Sequence, residues 1–570
     1  MLDQTTAAAI LKHHTPRSLR YSLSSSVFLL ICIITLFGLL IFPLTLLFKG
    51  AFLDSDGHYI GFANFIEYFS NESLFSSIFN SLWMATLATT ITVLLASVYA
   101  YALTVIDVKA KALLKAIAFL PILAPSILPS LALVYLFGQQ GIFKNLMGET
   151  EIYGPLGILL SYCFWLFPAV FILMLSAFRN IDQSLIEASH SLGKGLWSTH
   201  SAVTLPAIRY GLISACLVSF TYVLTDFGIP KVIGGSFNMM ALDVYKQIIG
   251  QQNMQMGAVI SILLLCPAVL AFVFDRYQSK RQQRYQNFQV KPYIMKTTVL
   301  TKWLFSGFCY FIAGFILLLI ITAIAASFIR YWPYDLSMTF DHYRFEYVTS
   351  GGWDAYFNSL KLAGFTTVFG SIVIFMVALS TERCKVHPLL KHLMQMLTLL
   401  PLAIPGLVLG IAYILFFNDV QNPLHILYGT MSLLVISTII HYYTVPHLAL
   451  SNTIKQIPTQ LEAAAQSLGA SRWKTFYKVY LPLSLPALCD ISVYLFVNAM
   501  TTVSAAIFLY SPDTNLAAVS VLNMDDAGDT ASAVAMSVLI LFSSAVVKLI
   551  YGLLTRGLLK RTQAWRETTH

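Results

Sequence analysis

The residues best suited to a functional task occur in two copies. Glu187-Ala188-Ser189-His190-Ser191-Leu192-Gly193 is followed by Trp197, Thr199, Val203 and Leu205-Pro206. Glu462-Ala463-Ala464-Ala465-Gln466-Ser467-Leu468-Gly469 is followed by Trp473, Thr475, Val479 and Leu481-Pro482. At a constant offset of 276, nine of the 21 positions from 186 to 206 are identical, where chance at ordinary residue frequencies gives about one. Nothing here makes or breaks a covalent bond. The set fits recognition: a carboxylate, small side chains that admit a close neighbour, a glycine free to take positive φ, and a tryptophan suited to an interface. Each copy reads as a short helix, a glycine turn and a second short helix ending at a proline. An amphipathic loop lying on a membrane would account for either copy alone. Duplication at fixed spacing argues for docking.

A second group is weaker. Asp226 closes an apolar run within Thr225-Asp226-Phe227-Gly228-Ile229-Pro230-Lys231, and at the same offset it matches Thr502, beside Thr501 and Ser504. Ionisable groups in apolar spans tend to be functional, so these four are candidates for a solute path or its outer gate. Helix-capping hydroxyls and an aspartate snorkelling to water are the plainer reading. Asp490 is placed near the cytoplasmic end of its span, paired with a base. Asp525-Asp526-Ala527-Gly528-Asp529 lacks the ligand spacing and distal glutamate of a calcium loop, and reads as a solvated acidic loop. No metal site is expected. Phosphate-loop, HExxH and GxSxG patterns are all missing, so no catalytic residue and no nucleotide site of this chain's own are expected.

The elements that must position these residues follow from composition. Apolar residues make up 57% of the 570-residue chain and charged residues 11%, against about 25% charged in soluble domains. This is an all-α polytopic membrane protein. Seven cysteines without any CxxC spacing read as small buried hydrophobes. Apolar runs long enough to cross a layer about 30 Å thick number twelve, near 24–48, 80–106, 112–137, 154–177, 209–228, 256–274, 303–329, 357–380, 390–417, 427–448, 484–510 and 531–553. When the intervening segments are sorted by side, those on the N-terminal side hold most of the 35 Lys and Arg, and the opposite side most of the 26 acids. By the positive-inside rule both termini are cytoplasmic. That asymmetry also explains the net charge of +9 with no nucleic acid.

The chain divides as a cytoplasmic tail (1–23), a first half (24–275), a basic cytoplasmic linker (276–302) and a second half (303–570). Phe79-Asn80-Ser81-Leu82 recurs as Phe357-Asn358-Ser359-Leu360, and Leu120-Pro121 with Pro125 recurs as Leu400-Pro401 with Pro405. Six spans plus six in one orientation make a parallel repeat about an axis along the membrane normal.

The pattern Glu-Ala-Ala-x-x-x-Gly-x11-Leu-Pro resembles the coupling loop of the inner-membrane permeases of binding-protein-dependent ABC importers. Gly193 to Leu205 and Gly469 to Leu481 keep the x11 spacing. Ser189 replaces the second alanine, and in the second copy Ala463 stands at the glutamate position with Glu462 one residue earlier. The likeness spans both halves and is closest to the fused, double-length permeases of the ferric-iron, thiamine and phosphonate group. It implies that the loops (Glu187, Ala188, Ser189, Gly193, Leu205, Pro206; Glu462, Ala463, Ala464, Gly469, Leu481, Pro482) dock on a homodimeric ABC ATPase. That partner would hold the ATP and magnesium, with no cofactor on this chain. A periplasmic solute-binding protein would dock on the opposite face, and the chain would sit in a bacterial inner membrane. Segments 225–235, 244–253 and 523–529 resemble those of 2-aminoethylphosphonate permeases, which makes that solute the expected cargo and ferric iron the rival. The competing class is a six-plus-six secondary transporter, which would need ion-coupling groups within the membrane.

Overall fold

The computed structural model describes residues 23–106, 108–285, 298–348, 351–384 and 386–562. Most of the N-terminal tail and the middle of the basic linker lie outside them. Among the described residues nine helices are long and apolar enough to cross a membrane, and three further pairs qualify if each bent pair counts as one span. The twelve runs read from sequence are therefore nine straight crossings and three broken ones.

In the first half the elements are α1 (Leu23–Gly50), α2 (Glu72–Thr104), the pair α3 (Lys111–Ala118) and α4 (Leu128–Phe137), and α5 (Pro155–Arg179). They continue through α6 (Gln183–Ser191), α7 (Leu205–Thr225), α8 (Gly228–Ile233), α9 (Met240–Tyr245) and α10 (Met254–Tyr285). The second half begins with α11 (Val299–Phe328) and an antiparallel ribbon of β1 (Ile329–Tyr331) and β2 (Asp335–Met338). Then come α12 (Asp354–Arg383), α13 (Pro388–Leu397), α14 (Gly406–Phe417), α15 (Met431–His441) and α16 (Thr444–Gln456). The chain closes with α17 (Thr459–Ser467), α18 (Leu481–Thr501), α19 (Ala517–Asp526) and α20 (Thr530–Thr562). Helices α10 and α11 thus reach into both ends of the basic stretch.

The prolines decide where spans break. Between α3 and α4 the chain turns by 102°, and between α13 and α14 by 108°. At each turn the residue before a proline is extended: Ala124 (φ −99°, ψ 146°) before Pro125, and Ile404 (φ −102°, ψ 116°) before Pro405. Proline's ring excludes the helical conformation from its predecessor. The third bend, 57° between α15 and α16, is confined to the second half. Pro446 sits in the first turn of α16, and its ring clashes with a carbonyl at residue 442, where the ladder breaks.

The repeated Phe-Asn-Ser-Leu motif has a structural task. Ser81 accepts the Met240 N–H at 2.8 Å and Ser359 accepts the Ala517 N–H at 2.8 Å. Asn80 donates to the Asn238 carbonyl at 3.0 Å and Asn358 to the Asp513 carbonyl at 2.9 Å. Each motif satisfies the first free N–H of α9 or α19, whose own preceding residues, Met239 and Leu516, cannot cap.

Helices α2, α5 and α7 form one core, and α12, α15, α16 and α18 the other. The outer helices cross over. Helix α1 packs on α13 and α14 of the second half, while α11 packs on α3 and α4 of the first. Helices α10 and α20 repeat the exchange on α14 and α4. The two proline-turned spans, α3 with α4 and α13 with α14, are therefore clasped by helices of the opposite half, and the two halves form one interlocked body.

Candidate functional site

Both doubled loops lie at one end of the bundle and share a backbone. Helix α6 starts on Asp182, whose carboxylate accepts the Ser184 N–H at 3.0 Å. It stops at Gly193 (φ +72°), and α17 stops at Gly469 (φ +65°). Gly193 donates to the His190 carbonyl at 2.9 Å and Lys194 to that of Ser189 at 3.2 Å; Gly469 donates to Gln466 at 3.0 Å and Ala470 to Ala465 at 2.9 Å. This paired closure of the last carbonyls needs a left-handed residue. A Cβ placed on either glycine would meet nothing within 4 Å. Positive φ, not crowding, requires the glycine.

After the turn the second helix does not end at its proline. Leu196–Thr199 passes through a wide turn, His200–Thr204, directly into α7, and Arg472–Thr475 passes through Phe476–Tyr480 into α18. Leu205 donates to His200 and Leu481 to Phe476, a slip to the i→i−5 register. Pro206 and Pro482 have no N–H to offer the ordinary ladder, and the wide turn just before each takes up that loss. The loop is thus rigidly continuous with a membrane-spanning helix.

The outward faces are apolar. Leu192 is 79% exposed and Trp197 88%; their counterparts Leu468 and Trp473 are 85% and 66% exposed. Ala188, Ala463 and Ala464 are exposed beside them. Two large apolar side chains at matching positions in each half are left uncovered by the rest of the chain.

The carboxylates differ. Glu187 is exposed and accepts one bond, from Gln183 Nε2 at 2.6 Å. Glu462 is half-buried and accepts the Tyr480 hydroxyl at 2.9 Å. The Tyr480 ring lies 6.0 Å from the Arg383 guanidinium, which donates to the Ile454 and Ile457 carbonyls. In the first loop a buried hydroxyl pair, Ser189 and Thr199 at 2.9 Å, ties the two short helices instead. Leu205 and Pro206 are exposed, whereas Leu481 and Pro482 are half-buried.

The second group of candidates gathers at the opposite end of α7 and α18. Asp226 is 8% exposed. Its carboxylate accepts the Ile229 N–H at 3.0 Å and faces the Tyr162 hydroxyl at 3.4 Å, so it caps α8. Thr501 donates back to the Val497 carbonyl at 3.0 Å, and Thr502 is buried. Ser504 packs against the broken span: a Cβ on Gly406 would come within 2.9 Å of the Ser504 Cβ. The first half makes the same junction with the roles exchanged, since a Cβ on Gly228 would come within 3.2 Å of Ser126 Oγ. Among the described residues the partner of Asp490 is the Tyr551 hydroxyl of α20, a phenol on the neighbouring helix.

Sequence reasoning missed a tie between the halves. Lys231 of α8 pairs with Asp526 of α19 at 2.8 Å, and its ammonium lies 5.2 Å from the Tyr245 ring. Close by, Tyr135 of α4 meets Thr530 at 3.4 Å, and its carbonyl accepts the Trp332 indole N–H at 2.7 Å. Asp529 caps α20 through Ser532. The acidic loop is exposed at Asp526, Ala527 and Gly528, as a solvated loop would be, and it is also a structural junction. Burial, aided by Asp526, pushes the Asp525 carboxyl up to about 6. The available signal was Lys231 itself, a cation on a face where acids predominate.

The family model described as "Binding-protein-dependent transport system inner membrane component" matches residues 93–284 and again residues 370–560. The ferric transport system permease protein FbpB of Actinobacillus pleuropneumoniae is 26% identical over 546 residues, spanning 91% of this chain and 77% of the relative. A ferric transport system permease protein, FbpB 1, of Haemophilus influenzae is 27% identical over 513 residues, spanning 85% and 78%. The spermidine/putrescine permease protein PotB of the same organism is 26% identical over 266 residues, 43% of this chain but 92% of its own length. A single-length relative thus aligns with less than half of the present chain. With the family's unit present once in each half, the chain belongs to the binding-protein-dependent inner-membrane transport components, as a fused, double-length member.

Proposed function

We propose that this chain supplies both halves of the translocation path of an ATP-driven importer, with ferric iron as its cargo. The doubled loop is the observation that carries the reading. Two apolar faces, each fixed by a glycine turn and continuous with a spanning helix, suit two copies of one ATPase. Force applied at Trp197 and Trp473 would pass straight into α7 and α18. The loops and both termini then lie in the cytoplasm, and ATP and magnesium belong to the ATPase. A soluble binding protein delivers cargo at the opposite face. Closing the ATPase pair would draw the loops together and rock the halves, opening the end where Lys231 meets Asp526.

Cargo is the finer question. The two long relatives named above are ferric transport permeases, and this supports iron over 2-aminoethylphosphonate. The resemblance of short segments to phosphonate permeases is the slighter support. Uptake of labelled ferric iron and labelled 2-aminoethylphosphonate, in the same cells with and without the chain, tests the choice. Loss of iron uptake alone is the expected result, and loss of phosphonate uptake alone would reverse the assignment. Uptake that persists without any ATPase would favour a secondary transporter.

A further inference from the structure

The matching helices α2 and α12 finish differently at the loop end of the bundle. Helix α12 closes on Glu382 and Arg383. The Glu382 side chain is only 7% exposed, and its carboxylate pairs with Lys391 of α13 at 3.8 Å and with Lys455 of α16 at 3.2 Å. It also accepts the Ser451 hydroxyl of α16. Arg383 donates to the Ile454 and Ile457 carbonyls, where α16 stops, and its guanidinium lies 6.0 Å from the Tyr480 ring. The Tyr480 hydroxyl in turn bonds Glu462 of α17. Two adjacent side chains thus tie α13, α16 and the second doubled loop to one helix end. The bond to Ile457 acts one residue before Pro458, whose fixed φ stiffens the step into α17, and α17 has no side-chain cap. Aligned on the Phe-Asn-Ser-Leu motifs, the first half has Thr104 and Val105 in place of Glu382 and Arg383. At the loop offset it has Asp182, Ile186 and Thr204 in place of Pro458, Glu462 and Tyr480. Thr104 donates back to the Ala100 carbonyl of its own helix at 2.7 Å, while Val105, Ile186 and Thr204 are buried.

We propose that Arg383 is the positioning residue of the second docking loop, and that with Glu382 it makes this loop, the end of α12 and the broken span α13–α14 move as one piece. The inference rests on the docking reading above. The last carbonyls of a helix have no partner within it. A guanidinium fork holds two of them at once in a set direction, which the single ammonium of a lysine does not. The buried Glu382 carboxylate, shared by two lysines, holds α13 and α16 at a fixed separation, and losing its partners would leave a buried charge unpaired. Helix α13 packs on α1 of the first half. A pull on Trp473 therefore reaches the opposite half by this route as well as through α18. Thr104 and Val105 carry no charge with which to build the same joint, so a pull on Trp197 relies on the backbone running into α7.

Nitroxide labels at Ser467→Cys of α17 and Leu393→Cys of α13, both exposed positions, read the joint directly. The full-length chain, without its native cysteines, is assembled with its ATPase in nanodiscs and measured without nucleotide and with an unhydrolysable ATP analogue. The expected result is one narrow distance distribution that the analogue does not move. Arg383→Gln should broaden it and let it shift when the analogue binds, with the ATPase still retained. Arg383→Lys, which keeps the charge but not the fork, should recover only part. Thr104→Val, at the matching place in the first half, should behave as the wild type. In proteoliposomes of the whole importer, uptake per ATP hydrolysed should fall about fivefold or more in Arg383→Gln. A simple loss of folded protein would lower uptake and hydrolysis together and leave that ratio unchanged. If the wild-type distribution moves with the analogue, if Arg383→Gln matches the wild type in distance or in uptake per ATP, or if lysine restores both in full, the joint is overturned and docking stands. If the wild type retains no ATPase, the docking reading falls, and the joint falls with it.

Discussion

The two doubled loops have one shape and two internal supports. In the first, Ser189 and Thr199 bond across the turn while Glu187 faces water. In the second, Ala465 replaces Ser189, and Glu462 is drawn back onto Tyr480 beneath Arg383. What duplication preserved is the positive-φ glycine, the exposed tryptophan and the leucine-proline entry to the span. What drifted is the scaffolding behind them. On the proposed reading the shared features would form the docking surface, and the carboxylate would be fully open to a partner in the first half but half-buried in the second. Two identical ATPase copies would then meet chemically unequal sockets.

The largest effect should come from the features the loops share. Replacing Gly193 and Gly469 together by valine forces a β-branched residue to positive φ, costing about 1–3 kcal/mol at each turn. Uptake should fall to background with the protein still in the membrane. Asparagine, which tolerates positive φ, should retain most uptake at both positions, since the site has room for it. If asparagine fails as badly as valine, the φ argument is wrong.

Next, Trp197→Ala and Trp473→Ala should each weaken retention of the ATPase in co-purification. A buried aromatic anchor contributes about 2 kcal/mol or more, roughly thirtyfold in affinity. Equal losses in the two halves would show that the tryptophans are equivalent anchors. A loss confined to one half would show that drift has reached the surface.

The inequality itself is tested by carboxylate variants. Tyr480→Phe removes one bond within the second loop and should lower stability by about 1 kcal/mol, read as a drop in Tm. Glu187→Gln should leave Tm unchanged but reduce ATP-coupled uptake, while Glu462→Gln, whose amide oxygen can still accept from Tyr480, should change neither. A coupling defect in Glu462→Gln as large as that in Glu187→Gln would contradict the proposed difference.

The smallest effect concerns the opposite end of the molecule. With its carboxyl pushed up to about 6, Asp525 binds its proton more readily folded than unfolded. That contribution is full below the ordinary carboxylate range and is lost as pH rises through 6. Asp525→Asn should therefore raise Tm at neutral and higher pH, with the gain shrinking as pH falls through 6. A gain independent of pH would assign the effect to packing.

Much of this was legible in the sequence because it rests on local rules. Apolar run length marked the spans, Pro125 and Pro405 stood out as a repeated motif within two of them, and the offset of 276 exposed the doubled loop. Contacts that join distant segments were not legible. Ser81 and Ser359 stood out as a repeated motif, but the N–H groups they accept lie 159 and 158 residues away. Asp525, Asp526 and Asp529 read as solvated because nothing nearby in sequence announces Lys231. Asp226 read either as a pathway group or as an aspartate snorkelling to water, and its capping of α8 becomes visible only when Tyr162 and Ile229 are brought beside it. The third bend escaped notice because Pro446 in one half and Pro168 in the other sit in comparable helices, yet only the first breaks its span.

The central claim is that both loops dock on one kind of ATPase. A photo-crosslinking residue placed at Leu192 or at Leu468, in the membrane of cells that express the whole importer, tests it most directly. The account predicts a covalent adduct with the same ATP-hydrolysing subunit from both positions, lost from each loop when its glycine becomes valine. Adducts with lipid alone from both positions would contradict it.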